Sequence, residues 1–293
     1  DAAWSSRRPL EPTRAKALLW QLLRGLEHSH SRGVVHRNIK PAQLLVSQAA
    51  TPTNGITRQR CLPSSSLLAT TVSSSSSSSG GRGGGGGNDN SNGNAETGDR
   101  SDSGGSGGCD KDEVLKICGF SHAVVVASGG ISEKIARNDA GTLWYRPPES
   151  LLGDRFTSCA QDQWACGCVF GEMLTGKPLF GGCSSEYGTL VHIFKLLGTP
   201  TSADWPTLEG LLSFERASFP CFPKPRCLAE VLLGLADDAK PSSSAAPAPA
   251  PLRRVASPRA VDLLRGLLCC DPARRLSARE ALAHPYFLHD DDD

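Results

Sequence analysis

Leu18, Leu19, Leu22, Leu23 and Leu26 recur at spacings of three and four, the period of a helix that turns one face toward a core. Thr13 stands as the cap of this helix and Gly33 as its stop. The same period predicts a second helix over 158–175, with Trp164, Val169, Phe170 and Leu174 apolar and Gly176 as terminator. A third covers 185–197 on Tyr187, Leu190, Val191, Phe194 and Leu197, closed by Gly198. Later, Val261, Leu264, Leu267 and Leu268 mark another helix, and Ser277 with Glu280 makes a capping box for the last. Strand signal is thin, with Leu44–Val46 and Val114–Cys118 as the candidates.

Two stretches carry no such period. Residues 47–112 contain Ser73–Ser79, Gly83–Gly87 and a polar Asn/Asp/Ser/Gly mixture, with 14 of the 31 glycines. Too few apolar side chains are present to offset the entropy of ordering them, so the segment reads as a disordered Ser/Gly/Asn-rich insertion. A smaller one over 237–256 has Pro241, Ser242–Ser244 and an Ala-Pro alternation through Pro251, the composition of an extended polyproline-like strap. The organisation expected is 1–46 and 113–289 as packed structure, interrupted by these insertions, with 290–293 as an acidic tail.

Composition narrows the classes. The chain has 293 residues, 39% apolar, with 31 Lys and Arg against 30 Asp and Glu, a formal charge of +1. A nucleic-acid or anionic-membrane partner is disfavoured, since both select a concentrated basic excess. No apolar run approaches the roughly 18 residues of a membrane span. The eleven cysteines are dispersed and contain no CxxC pair. They read as reduced, partly buried side chains, which favours an intracellular setting, cytoplasm or nucleus. The chain opens at Asp1 with Met173 as its only Met, so residues before Asp1 are expected and no targeting signal is read.

The sequence His36-Arg37-Asn38-Ile39-Lys40-Pro41-Ala42-Gln43-Leu44-Leu45-Val46 follows the first helix. Leu115-Lys116-Ile117-Cys118-Gly119-Phe120-Ser121 follows the long insertion. Then come Gly141-Thr142-Leu143-Trp144-Tyr145-Arg146-Pro147-Pro148-Glu149, Asp162-Gln163-Trp164 with Gly167, Phe194-Lys195-Leu196-Leu197-Gly198-Thr199-Pro200, Asp271-Pro272-Ala273-Arg274-Arg275, and His284-Pro285-Tyr286-Phe287. In order and spacing these resemble the landmark segments of eukaryotic protein kinases, CMGC group, closest to cyclin-dependent kinases. The fold this implies is mainly α: a protein kinase C-terminal lobe with short β-hairpins, its N-terminal lobe missing from this chain. The resemblance also makes 47–112 the replacement for a hairpin turn. Lengthening a turn of about four residues to that size costs roughly 2.5 kcal/mol of closure entropy at about 0.6 per doubling. A retained intron stands beside a genuine insertion as its origin.

In the family, phosphoryl transfer from ATP uses magnesium-held phosphates and a carboxylate that accepts the proton of a Ser or Thr hydroxyl. By resemblance, the base Asp corresponds to Asn38, the phosphate-contacting Lys to Lys40, one metal ligand to Gln43 and the other, in the D-F-G segment, to Gly119. A carboxamide is no base at neutral pH. Glycine supplies no ligand, and magnesium prefers hard carboxylate oxygens. ATP and magnesium are therefore implied cofactors whose binding by this chain is in doubt, and no metal is expected from the residues themselves. His28 and His30 suggest a metal pair only superficially.

Other implied residues are kept. Arg37, Glu149, Asp162 and Arg275 are structural positions, with Glu149 pairing Arg275 and Asp162 supporting the catalytic loop. Gly141, Thr142 and Arg146 line the substrate groove, where Gly141 can adopt φ > 0. The activation-segment phosphorylation position falls on Arg137, which would repel Arg37, with Ser132 a nearby substitute; Ser257-Pro258 is a minimal proline-directed site. The expected function is a degenerate, cyclin-dependent-kinase-like protein acting through protein partners or Ser/Thr-Pro peptides, a cyclin not being arguable from these residues. The alternatives are an active Ser/Thr kinase seen as a truncated or mis-spliced chain, and a non-functional fragment.

Overall fold

The computed structural model describes residues 9–48, 59–61, 113–126, 131–132, 141–211, 214, 217–225, 228 and 257–288. The first helix, α1 (Pro12–His30), buries Leu18, Leu19, Leu22, Leu23 and Leu26, the stripe expected from their spacing. Its start differs from expectation. Glu11 is the residue before the helix and Pro12 its first position, so Thr13 lies inside the first turn and caps nothing. Proline suits that place because the N–H it lacks has no partner within the helix.

Helix α2 (Pro148–Leu151) is a single turn. Helix α3 (Ala160–Thr175) begins two residues later than predicted, because Thr157–Ser158 form a strand instead. It is buried on every side: Asp162, Gln163 and Glu172 are as enclosed as Trp164, Phe170 and Met173. An interior helix of this kind carries no polar stripe, so periodicity alone understates its burial. Trp164 stacks on Phe180 with ring centroids 5.8 Å apart.

Helix α4 (Glu186–Leu197) is capped by Ser185, whose hydroxyl accepts from the Gly188 N–H. Its buried face is Thr189, Leu190, Ile193 and Phe194, while Tyr187 is exposed. Helix α5 (Pro258–Leu267) is capped by Ser257, which accepts from Ala260 N. The Ser257-Pro258 pair is therefore a helix start, with its hydroxyl already engaged. Helix α6 (Ala278–Leu282) carries the full Ser277–Glu280 capping box, and α7 (Pro285–Leu288) follows it.

The strands are short. Strand β1 (Val34–Val35) pairs antiparallel with β5 (Val124–Val125), and β6 (Ile131–Ser132) with β7 (Thr157–Ser158). Between them β2 (Leu44–Gln48) pairs with β4 (Glu113–Ile117) from Leu44 opposite Ile117 to Gln48 opposite Glu113. Strand β3 (Gln59–Cys61) adds to the other edge of β2. Segment 47–112, read as wholly disordered, thus contains the end of β2 and all of β3. The rest of that segment, the 237–256 strap through Ala256, Arg137 and the tail 290–293 lie outside the described residues.

Helix α1 clamps the return strand. Arg14 donates through Nε and Nη2 to both carboxylate oxygens of Glu113, each at 2.8 Å. The Gln21 amide donates to Glu113 O and its oxygen accepts from Leu115 N. These bonds set the register in which the chain re-enters the fold, immediately above the segment that holds Gly119.

Candidate functional site

The site forms where β1 runs into the loop His36–Lys40 and β4 runs into Gly119. The loop hangs from Asp162 on α3. Asp162 Oδ2 accepts from His36 N at 2.7 Å and Oδ1 from Arg37 N at 2.8 Å. Asp162 Oδ2 also meets His30 Nε2 at 2.9 Å, while His30 Nδ1 lies 3.1 Å from the Gln163 amide nitrogen. The amide can only donate, so Nδ1 accepts and Nε2 carries the proton to Asp162. His30 is a bracket between α1 and α3, with both nitrogens engaged. Its sequence position at a helix end gave no sign of this role.

Arg37 holds φ 67, the one non-glycine positive φ among the described residues. Left-handed backbone costs an ordinary residue about 1–2 kcal/mol, and the Asp162 carboxylate on its N–H helps hold it there. Burial pulls the Arg37 pKa below its ordinary value, with Asp162 acting in the opposite direction. His36 accepts from Asn38 N at Nδ1 and so donates through Nε2 to Cys118 O at 2.9 Å. Its ring meets Phe120 edge-on, centroids 4.6 Å apart. These contacts join the two halves of the site across the long insertion. His36 was not singled out by the sequence reading.

Lys40 Nζ donates to Thr142 Oγ1 at 2.6 Å, tying the loop to the segment that runs from Gly141. Gly141, at φ 92, lets that segment pass so close that a Cβ there would stand 2.7 Å from Arg37 O. Arg146 donates through Nε to Gly141 O and through Nη1 to Glu186. Tyr145 donates to the buried Glu172 carboxylate at 2.6 Å, a pair that the sequence reading missed because nothing in the spacing brings 145 and 172 together.

Glu149 and Arg275 form a buried two-pronged pair, both bonds 2.8 Å. Arg275 also donates to the carbonyls of Cys269, Ala160 and Cys270, and its guanidinium lies 5.1 Å from the Trp164 ring centroid. Burial pushes its pKa down, but the Glu149 carboxylate, with smaller contributions from Cys270 and Cys269, offsets this and leaves it raised. A buried charge of this kind is stable only when so fully partnered.

The residues that the resemblance sets at catalytic positions are differently placed. Asn38 is buried, and its Oδ1 has no hydrogen-bond partner among the described residues. It borders a small cavity with Arg37, Gly141, Thr142, Tyr145 and Arg146. Its amide oxygen can accept a hydrogen bond from a hydroxyl but cannot take the proton away. Gln43 is held by its backbone: Gln43 N donates to Lys40 O and Cys118 N to Gln43 O, each 2.9 Å. Its Oε1 faces Cys118 Sγ at 3.7 Å. Gly119 sits at φ 76, ψ 45, and a Cβ there would stand 1.8 Å from Gln43 Oε1.

A divalent cation does not fit these residues. Gly119 offers no oxygen ligand from a side chain, Gln43 is turned onto the volume such a side chain would need, and Asn38 is neutral. Among the described residues no group of three or more His, Cys, Asp or Glu is placed to hold a metal ion. None of their helices is long and apolar enough to cross a membrane.

The loop held by Asp162, the Lys40–Thr142 tie and the Glu149–Arg275 pair agree with what comparison with known proteins shows. The sequence matches the protein kinase domain family over residues 109–287. It is 31% identical over 284 residues to cyclin-dependent kinase B1-1 of Arabidopsis thaliana, covering 96% of this chain and 62% of that protein. Its fold resembles a chain in the crystal structure of the yeast RNA Pol II CTD kinase CTDK-1 complex, with a TM-score of 0.60 and 23% identity, covering 97% of this chain and 65% of that one. The chain thus spans less than two thirds of both. These alignments show a protein kinase fold with helical content. Since the family match alone covers more than half of the sequence, the chain belongs to the protein kinase domain family.

Proposed function

We propose that this chain is a cyclin-dependent-kinase-like pseudokinase: a kinase-domain protein that has lost phosphoryl transfer and acts by binding protein partners or Ser/Thr-Pro peptides. The observation that carries the reading is the Gln43 carboxamide standing in the room a side chain at Gly119 would need. Kinases use ATP with magnesium, and the ions that neutralise developing charge on the phosphates are held by such side chains. Asn38 adds the loss of the base, an effect worth about 10²–10⁴ in rate. The scaffold around these positions is intact: Asp162, Glu149, Arg275 and the Lys40–Thr142 contact all hold the loop and the groove segment in place. Retained packing beside lost chemistry is what a binding role needs. The likeness to a chain solved within a kinase complex agrees with a protein partner.

The second reading is an active Ser/Thr kinase that transfers the ATP γ-phosphate to Ser/Thr-Pro substrates, of which this chain is a truncated or mis-spliced form. The Lys40–Thr142 tie and the coverage of 62% of the Arabidopsis kinase favour it. The two are separated by phosphotransfer from Mg-ATP to a Ser-Pro peptide. No transfer above the Lys40→Ala variant is expected, and transfer that Lys40→Ala abolishes sinks the pseudokinase reading. A non-functional fragment is the third reading. It predicts a melt without cooperativity, whereas the continuous core joining α1, α3 and α5 predicts a cooperative one.

A further inference from the structure

Gln43 and Gly119 are both substitutions at metal-ligand positions, and the structure places one against the other. Backbone bonds pin Gln43 and the residue before Gly119, Gln43 N to Lys40 O and Cys118 N to Gln43 O. A Cβ at 119 would meet the Gln43 carboxamide three times, at 1.8 Å from Oε1, 2.4 Å from Cδ and 3.0 Å from Nε2. With the backbone held, only rotation of the Gln43 side chain away from Cys118 relieves that overlap. The backbone at Gly119, φ 76 and ψ 45, is a left-handed conformation that Asp and Asn adopt more readily than other residues. The backbone therefore still admits an acid at 119, and the obstacle is the amide of Gln43.

From this we infer that the two losses form one lock: the chain fills its former cation site with its own Gln43 side chain, so that an acid at 119 requires the Gln43 carboxamide to move or be replaced. The extra methylene of Gln over Asn is what carries the amide into that space. The inference rests on the pseudokinase reading and deepens it, because it replaces an empty metal site with a packed one. A packed site contributes to folding, so reopening it has a measurable consequence for stability in the absence of any nucleotide.

The test uses the full chain and four variants: Gly119→Asp, Gln43→Asn, Gly119→Asp with Gln43→Asn, and Gly119→Asp with Gln43→Ala. Melting temperature is measured without and with Mn²⁺, and Mn²⁺ binding is read from loss of the free-ion electron paramagnetic resonance signal. Gly119→Asp alone is expected to lower the melting temperature and gain no Mn²⁺-dependent rise. In either Gln43 background the same substitution should lower it less, and the Asp/Asn chain should bind Mn²⁺ at least tenfold more tightly than the native chain. Equal destabilisation by Gly119→Asp with Gln43 present or replaced by Ala overturns the lock, as does Mn²⁺ binding by the native chain that Gln43→Asn leaves unchanged. Should the Asp/Asn chain fail to fold, the Asp/Ala chain reads the steric part by itself. Phosphotransfer is scored separately: native activity without the lock's failure overturns only the functional reading, and native Mn²⁺ binding without activity overturns only the lock.

Discussion

Asp162→Ala is the sharpest probe of how the candidate site is held. The Asp162 carboxylate accepts from the buried N–H of His36 at 2.7 Å, from Arg37 N at 2.8 Å and from His30 Nε2 at 2.9 Å, and Asp162 is only 1% exposed. Alanine leaves two backbone donors without an acceptor, each costing about 1–3 kcal/mol when buried. Removing a buried carboxylate also returns its desolvation cost, so the sum settles at about 3–5 kcal/mol, the usual effect of breaking a buried charged network. Against a total stability of about 5–15 kcal/mol this loss is large. Asp162→Asn keeps the shape and one accepting oxygen but turns an NH₂ toward one of the N–H groups, so an intermediate loss is expected. Urea unfolding gives the magnitude. Amide hydrogen exchange gives the location: His36 and Arg37 should lose protection first, because Arg37 at φ 67 has an incentive to relax once its anchor is gone. A loss under about 1 kcal/mol, or unchanged protection of those two amides, refutes the claim that Asp162 supports the loop.

Glu149→Gln leaves Arg275 buried without its counter-charge and should cost about 3–5 kcal/mol in urea unfolding, while Glu149→Leu with Arg275→Met should cost less than either single change; a double variant as damaged as the singles contradicts this. Gly141→Ala places a Cβ 2.7 Å from Arg37 O at φ 92 and should cost at least about 1–2 kcal/mol, whereas Gly210→Ala, with nothing within 4 Å, should stay within about 0.5. Thermal unfolding of the pair checks the contrast. Among the described cysteines, exposed Cys221 should be alkylated first at pH 8. Burial pushes the Cys270 thiol up to about 12 and raises Cys166 and Cys168 as well, so these should react only on unfolding; mass spectrometry of the labelled native chain reads the order.

Much of the scaffold was legible in the chain. The Leu18–Leu26 stripe, the Ser277–Glu280 capping box and the short apolar run Leu44–Val46 each report a local preference, and local preferences act within a turn or a strand. The same locality explains the misses. Thr13 looked like a cap, but Pro12 starts the helix one residue earlier. Ser257-Pro258 read as a minimal proline-directed dipeptide, and the chain alone did not show that it also begins α5. Helix α3 looked amphipathic, though its polar residues are buried as brackets for other segments.

At the site, residue identity alone determined that no carboxylate stands at 38, 43 or 119, because chemistry such as basicity or metal affinity belongs to the side chain wherever it lies. Identity also marked Asp162, Glu149 and Arg275 as present. What they touch was decided only by tertiary structure: His30 with Asp162 and Gln163, Tyr145 with Glu172, and above all Gln43 with Gly119, residues separated in the chain by the long insertion. In sequence the two neutral residues read as independent. The structure sets the Gln43 carboxamide in the room a side chain at 119 would need, and no pattern along the chain carries that constraint, since it arises where two distant segments meet.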